Sequence, residues 1–412
     1  MKKKLLISCC GLCLCIALLF TLSGCSNPFK PLITPINPAE DQNTVTLSRE
    51  EYDRLMRYQQ MDEILQYIEA WYYQEPDTDA LIENATRGLL YGLEDPYSYY
   101  YNAQEWTDMW ADDEGEYGGI GLQLLGNYLD YSVTITRVFK DTPAQEAGVR
   151  KGDILVRVED IEVTAYSMQD AVNVMRGTTN EIVEIEVLRG EEYITFRIPR
   201  AIIHVNRIEY TMLEDSVGYI ALYEFAGESQ TEFAAALQDL RSKGAKSLIL
   251  DLRDNGGGWV DSAIFIADLF LDQQLLVYSQ DRYGNKDTSG YFTKKGKDNI
   301  PLTILVNENS ASSSEILAGG LQEAGRAKLV GVKTFGKGII QTVIPLNNNT
   351  EGFQMTYAQY FLSNDQPVHK IGITPDVLAE MPEELKSTYF ELGDMTDPQL
   401  KKAWEEAKSM IQ

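Results

Sequence analysis

Three short stretches carry residue types that could do chemistry. Asn309 to Gly320 reads NSASSSEILAGG, with four serines in five positions. Leu250 to Trp259 reads LDLRDNGGGW, an apolar run ending in three glycines. Thr334 to Gln341 reads TFGKGIIQ, with Lys337 between glycines and four residues before Gln341. A serine at a helix start can be a cap, and Ser312-x-x-Glu315 fits a capping box. It can also be a nucleophile, because free N–H groups and the helix dipole there favour developing negative charge. The glycines allow either a tight turn with positive φ or a bare backbone that offers N–H donors to a ligand. Lys337 is either an exposed loop lysine or a base.

Elimination narrows the chemistry. A Ser-His-Asp triad needs a histidine beside the serine, and only His204 and His369 exist, neither in a motif. All five cysteines lie at or before Cys25, so the rest of the chain has no thiol nucleophile and no cysteine-bound zinc. No calcium loop of the EF-hand type occurs, and neither a metal nor another cofactor is expected. Gly331 to Gly338, GVKTFGKG, matches most of a phosphate-binding loop. Its last position is glycine where a magnesium-binding hydroxyl is required, and the GIIQTVIP that follows reads as a strand.

The elements that must position these stretches alternate. From Val217 on, VGYIALYEF, SLILDLRDN and PLTILVN read as strands, and TEFAAALQDLRSKG, SAIFIADLFL and SSEILAGGLQEAG as helices. This alternation predicts an α/β layered core over residues 201–380. The serine cluster then follows a strand and opens a helix, and the glycines end a buried strand. Residues 106–200 show period-two strands, YSVTITRVF, ILVRVED and VEIEVLRG, with a short helix begun by Pro143 and ended by Gly148. Residues 45–105 read as helical, opened by a Ser48-x-x-Glu51 box. Residues 381–412 close the chain with an amphipathic helix. The fold class is thus multidomain α+β.

Taken together, LDLRDNGGG, SASSSEI and TFGKGIIQ, in that chain order, strongly resemble motifs of the C-terminal processing peptidases, the tail-specific proteases. DPYSYYY near residue 95 and IGITPD near residue 371 extend the resemblance over nearly all of the chain from about residue 45. It implies a serine endopeptidase of crotonase-like, tail-specific protease fold with a Ser-Lys dyad and a PDZ domain. Ser312 is then the nucleophile, Lys337 the general base and Gln341 the residue that orients the lysine. Gly257 and the Ser313 N–H are the oxyanion donors. Two positions depart from the family pattern: Ser313 replaces an alanine and Gly256 a proline. Tyr117 to Gly121 resembles a PDZ carboxylate loop, which makes Gly118, Gly119, Ile120 and Gly121 candidates for holding a substrate's C-terminus.

The proposed base sets a physical requirement. An ordinary lysine pKa of about 10.4 leaves roughly one amine in a few thousand neutral at pH 7. Lowering it to about 8 makes roughly a tenth neutral, at a cost near 3 kcal/mol. Burial beside Phe335, Ile339 and Ile340 is the expected cause. Gln341 is neutral, so it can orient the amine without restoring its charge. The alternative is a binding protein of the same fold in which the dyad is vestigial and the PDZ domain does the work.

The formal charge of −26 discounts nucleic acid and anionic lipid surfaces as partners. The N-terminus differs: MKKK, an 18-residue apolar run and LSGC ending at Cys25. Small residues after the run fit signal cleavage, and the whole resembles a bacterial lipobox. Residues 1–24 would be removed and Cys25 lipidated, with 25–44, which hold four prolines, as a tether. The expected location is the extracytoplasmic face of the cell membrane. Expected partners are protein or peptide substrates with apolar C-terminal tails and a second copy of the chain, met through the N- and C-terminal helices.

Overall fold

The computed structural model describes residues 45–127, 130–294, 298–386, 388 and 390–411. The signal segment, Cys25 and the tether lie outside them. The chain divides into two compact bodies, one ending at Thr78 and one running from Asp79 to Gln412. The first holds helices α1 (Arg49–Leu55) and α2 (Gln59–Trp71). The Ser48 box forms as expected: Glu51 N–H donates to Ser48 Oγ at 3.2 Å and Ser48 N–H to Glu51 Oε2 at 2.8 Å.

In the second body, α3 (Thr78–Tyr91) leads to strand β1 (Tyr99–Tyr101) and helix α4 (Ala103–Glu114). The expected boundary at 105/106 therefore falls inside a helix. Strands β2 (Glu116–Gly119), β3 (Leu122–Gly126) and β4 (Val133–Val138) follow, then α5 (Pro143–Ala147), β5 (Ile154–Val158), β6 (Ile161–Glu162) and α6 (Met168–Met175). Strands β7 (Ile182–Arg189) and β8 (Glu192–Pro199) complete a sheet in the order β3-β4-β5-β7-β8, with β6 on β5. Alternation puts Val133, Ile135, Val183, Ile185 and Val187 into one fully buried core. Gly148 ends α5 at φ 90°. Strand β9 (Ala201–His204) pairs back on β2.

The core sheet is built from β10 (Ile208–Met212), β11 (Val217–Leu222), β12 (Ser247–Asp251), β15 (Leu302–Val306), β16 (Ala327–Gly331) and β19 (Val377–Leu378), in that order. Only β10 runs antiparallel. Helices α7 (Ser229–Ser242), α8 (Val260–Asp268) and α9 (Ser313–Glu323) pack on one face. Helix α10 (Pro398–Ser409) packs on the other through Leu400, Ala403 and Ala407. Both faces of the sheet are covered, which is why Ser247 to Asp251 is buried at every position rather than at alternate ones. The apolar residues Leu400, Ala403 and Ala407 of α10 are thus buried within the chain.

A second sheet joins β1, β18 (Glu351–Leu362), β13 (Val277–Gln280) and β14 (Lys286–Asp287), with β17 (Ile339–Leu346) paired on β18. The glycine-lysine loop therefore feeds the strand β17, whereas a phosphate-binding loop feeds a helix. One ion pair spans from the β-rich module to the core: Lys151 Nζ meets Asp254 in the glycine loop. Asp254 also accepts from Asn307 Nδ2 and Asn309 Nδ2, each at 2.8 Å.

Candidate active site

The serine cluster and the glycine loop follow the carboxyl ends of the adjacent parallel strands β15 and β12, where open α/β sheets place their ligands. Gly257 has φ 106°, and a Cβ there would lie 2.7 Å from Ser312 Cβ and 3.0 Å from Ser313 N. A Cβ on Gly258, at φ 129°, would strike the Phe225 carbonyl oxygen at 2.3 Å. Only glycine allows this approach.

Three of the four hydroxyls are committed to that loop. Ser310 Oγ donates to the Leu252 carbonyl at 2.8 Å, Ser313 Oγ to Gly258 at 2.8 Å and Ser314 Oγ to Asn255 at 2.9 Å. Ser312 Oγ has no such bond among the described residues. Ser312 sits at φ 56° and ψ −117°, a sparsely populated region for a side-chain-bearing residue. It is 9% exposed at the start of α9. Ser313 N–H opens the helix, where the first N–H groups lack intrahelical partners.

Glu315 does more than cap. It is fully buried, and its Oε2 accepts from Ser312 N–H at 3.0 Å and Lys337 N–H at 2.8 Å. Its Oε1 accepts from Thr334 Oγ1 at 2.5 Å and Gly336 N–H at 2.8 Å. Burial pushes this carboxyl's pKa up, and the accepted hydrogen bonds oppose the rise. Tyr360, buried on β18, aims its hydroxyl at the carbonyls of Ser312 (3.2 Å) and Lys337 (2.9 Å). One carboxylate and one phenol thus tie the serine turn to the lysine turn.

Burial lowers the Lys337 pKa to about 8, against the opposing pull of the Asp95 and Glu315 carboxylates. The ring that covers the amine is Tyr97, with its centroid 4.3 Å from Nζ. That ring, far away in sequence, was absent from the expected apolar set.

Several expected contacts are not made. Among the described residues, no hydrogen bond joins Ser312 Oγ to Lys337 Nζ. Gln341 Nε2 donates to Thr356 Oγ1 at 3.0 Å, and Gln341 makes no hydrogen bond to the lysine. Gly257 N–H, an expected oxyanion donor, is taken by Asn255 Oδ1 at 2.8 Å.

A separate cavity of about 210 Å³ is lined by Gly119, Ile120, Gly121, Leu122 and Leu124, by Met168 and Val172 of α6, and by Arg137, Arg207, Tyr223 and Glu224. Gly118 is not part of its lining. Its backbone is held in β2, and its carbonyl accepts from Gly177 N–H at 3.2 Å. Sequence reasoning missed Tyr360, Tyr97 and the second role of Glu315. For Glu315 one signal existed: a carboxylate inside the apolar run EILAGGL.

Residues 216–379 match peptidase family S41, 134–189 match a PDZ domain, and 33–105 match the N-terminal domain of the activating protease CtpB. The chain is similar to a carboxy-terminal-processing protease of Bartonella bacilliformis, 34% identical over 370 residues, covering 87% of this chain and 81% of that protein. It is 31% identical to carboxy-terminal processing protease CtpA of Bacillus subtilis over 337 residues, covering 81% of this chain and 72% of that protein. Among solved structures it resembles the photosystem II D1 C-terminal processing protease, with 26% identity and a TM-score of 0.64, covering 86% of this chain and all of that one.

Proposed function

Because the chain belongs to the carboxy-terminal processing proteases, PDZ-containing serine peptidases of family S41, we propose that it cuts proteins through a Ser312–Lys337 dyad after its PDZ groove has taken their C-terminal tails. The observation that carries this reading is the joint tether of the two residues through Glu315 and Tyr360, beside an amine whose pKa is about 8. At pH 7 roughly a tenth of such amines are neutral and able to take the serine proton.

Ser312 Oγ attacks the scissile carbonyl while Lys337 Nζ accepts its proton. The tetrahedral oxyanion sits against Ser313 N–H and the glycine loop. The lysine then returns the proton to the leaving amine, which gives an acyl-serine, and activates the water that hydrolyses it. In the resting geometry Asn255 holds Gly257 N–H, and the dyad bond is open. Productive binding has to turn the Gly257 N–H inward and bring the two side chains within about 3 Å.

The groove lined by β3 and α6 suits an extended tail added as a strand, with an apolar last side chain against Leu122 and Val172 and its carboxylate on the N–H groups near Gly121. The enzyme acts outside the cytoplasmic membrane, held by lipid on Cys25. The first body supports pairing with a second copy, because Tyr52, Tyr58, Tyr67 and Trp71 are exposed on its helices.

Peptides with apolar C-terminal tails test this. Wild type should cleave them, and Ser312→Ala and Lys337→Ala should not. Full activity in Lys337→Ala would sink the dyad. A wild type inert across a broad panel yet binding tails would favour the binding-protein reading.

A further inference from the structure

The segment DPYSYYY carries part of the family resemblance, yet the mechanism above gives it no task. In the structure it folds over the lysine. Tyr97 N–H donates to Asp95 Oδ1 at 3.1 Å and Ser98 Oγ to Asp95 Oδ2 at 2.5 Å, which closes a tight turn. The turn is docked on β18: Gln354 Nε2 donates to the Tyr97 carbonyl at 3.1 Å and Thr356 N–H to Ser98 Oγ at 3.0 Å. Beyond it, β1 continues the contact, with Tyr99 opposite Gln354. The turn has no freedom to swing away without breaking these bonds. It presents the ring of Tyr97 to Lys337 Nζ at 4.3 Å.

We propose that Tyr97 is a positioning residue for the base: its ring face seats the Lys337 amine and shields it from water. The inference rests on the reading of Lys337 as that base. A base must change charge during turnover, and the ring serves both states. Its bulk keeps water from the resting ammonium, so the amine gives up its proton readily. Its negative π face receives the ammonium that forms when the serine proton arrives. The other groups facing the lysine are the carboxylates of Asp95 and Glu315, with the Tyr360 hydroxyl on its carbonyl. Tyr97 substitutions leave all three in place.

The test compares Tyr97→Ala and Tyr97→Phe with wild type in the full chain. Alanine admits water, the charged amine is hydrated, and its pKa rises. The acid limb of the kcat/KM profile then moves up by about one pH unit, an about tenfold loss at pH 7, with KM changed less than about twofold. Phenylalanine keeps the ring and stays within about twofold of wild type. An alanine variant with an unmoved limb and full rate overturns the proposal. A phenylalanine variant as impaired as alanine also overturns it, because the hydroxyl would then be the working part. Carbon-13 dimethylation of the lysine amines, followed by NMR titration, reads Lys337 without turnover. An upward shift in Tyr97→Ala supports the ring's role even if no peptide is cleaved, and an unchanged titration refutes it even if cleavage is normal.

Discussion

A lysine kept partly neutral at pH 7 should cost the fold stability, and Lys337→Met measures that cost. The pKa falls from 10.5 to about 8 because the protein buries the amine. A shift of about 2.5 units corresponds to about 3 kcal/mol against the folded state at pH 7. Lys337 keeps some solvent access, and its cation–π contact with Tyr97 returns about 0.5–1 kcal/mol. Methionine is of similar length and carries no charge, so the variant should be more stable by about 2 kcal/mol at pH 7. The sign follows from proton counting. Between about pH 8 and pH 10.5 the unfolded lysine binds more protons than the folded one, so wild-type stability rises with pH across that window. Below 8 the penalty is complete, and above 10.5 it vanishes. At pH 10 it has shrunk to about 1 kcal/mol, so the advantage of the methionine variant should nearly disappear. Urea unfolding of both proteins at pH 7 and pH 10 reads this directly, because titrations common to both cancel. A variant less stable than wild type at pH 7, or an advantage equal at both pH values, refutes the idea that burial sets the lysine's proton affinity.

Glu315→Gln should be costly despite its matched shape. An amide oxygen can serve only two of the four donors, and the NH2 end then faces two others, so a loss of about 3 kcal/mol in urea unfolding and at least a tenfold fall in kcat are expected; near-wild-type values for both would remove Glu315 as the tie between the two turns. Ser313→Ala breaks one staple to Gly258, so stability should fall by about 1 kcal/mol and kcat only a few-fold. Complete loss of cleavage in Ser313→Ala, with Ser312→Ala active, would transfer the nucleophile to Ser313.

Local features were legible because they depend on neighbours in sequence. The capping box of α1, Pro143 and Gly148 around α5, and the alternation of strands and helices from Val217 all appear where residue type and spacing put them. The pairing of Ser312 with Lys337 in the proposed dyad was legible only through resemblance. What decided the lysine's chemistry was not legible: Tyr97 lies 240 positions away, brought in because β1 pairs with β18. Nothing in YYY signals that an N-terminal segment will join a sheet formed mostly by the second half of the chain. The seating of α4 was not legible for the same reason: its Trp106 ring occupies the space that a side chain on Gly352 would need.

The serine cluster shows why composition alone could not choose a nucleophile. In NSASSSEI every hydroxyl is small, polar and next to a helix start, so each is equally suited to capping or attack. What distinguishes them in the structure is the opposing loop. Ser310, Ser313 and Ser314 find carbonyls of residues 252–258 within 3 Å, and each buried hydroxyl that does so is satisfied and unavailable. Ser312, at positive φ, donates to none of those carbonyls among the described residues. On the proposed mechanism, the serine in the family's alanine position serves as a staple and Ser312 as the nucleophile. Its bond to Gly258 fastens the start of α9 to the glycine loop, the two backbones that the proposed mechanism asks to supply one oxyanion with N–H groups. An alanine there leaves that spacing to packing, whereas Ser313 fixes it with a hydrogen bond, and that suits a loop in which Gly256 has replaced the stiffening proline.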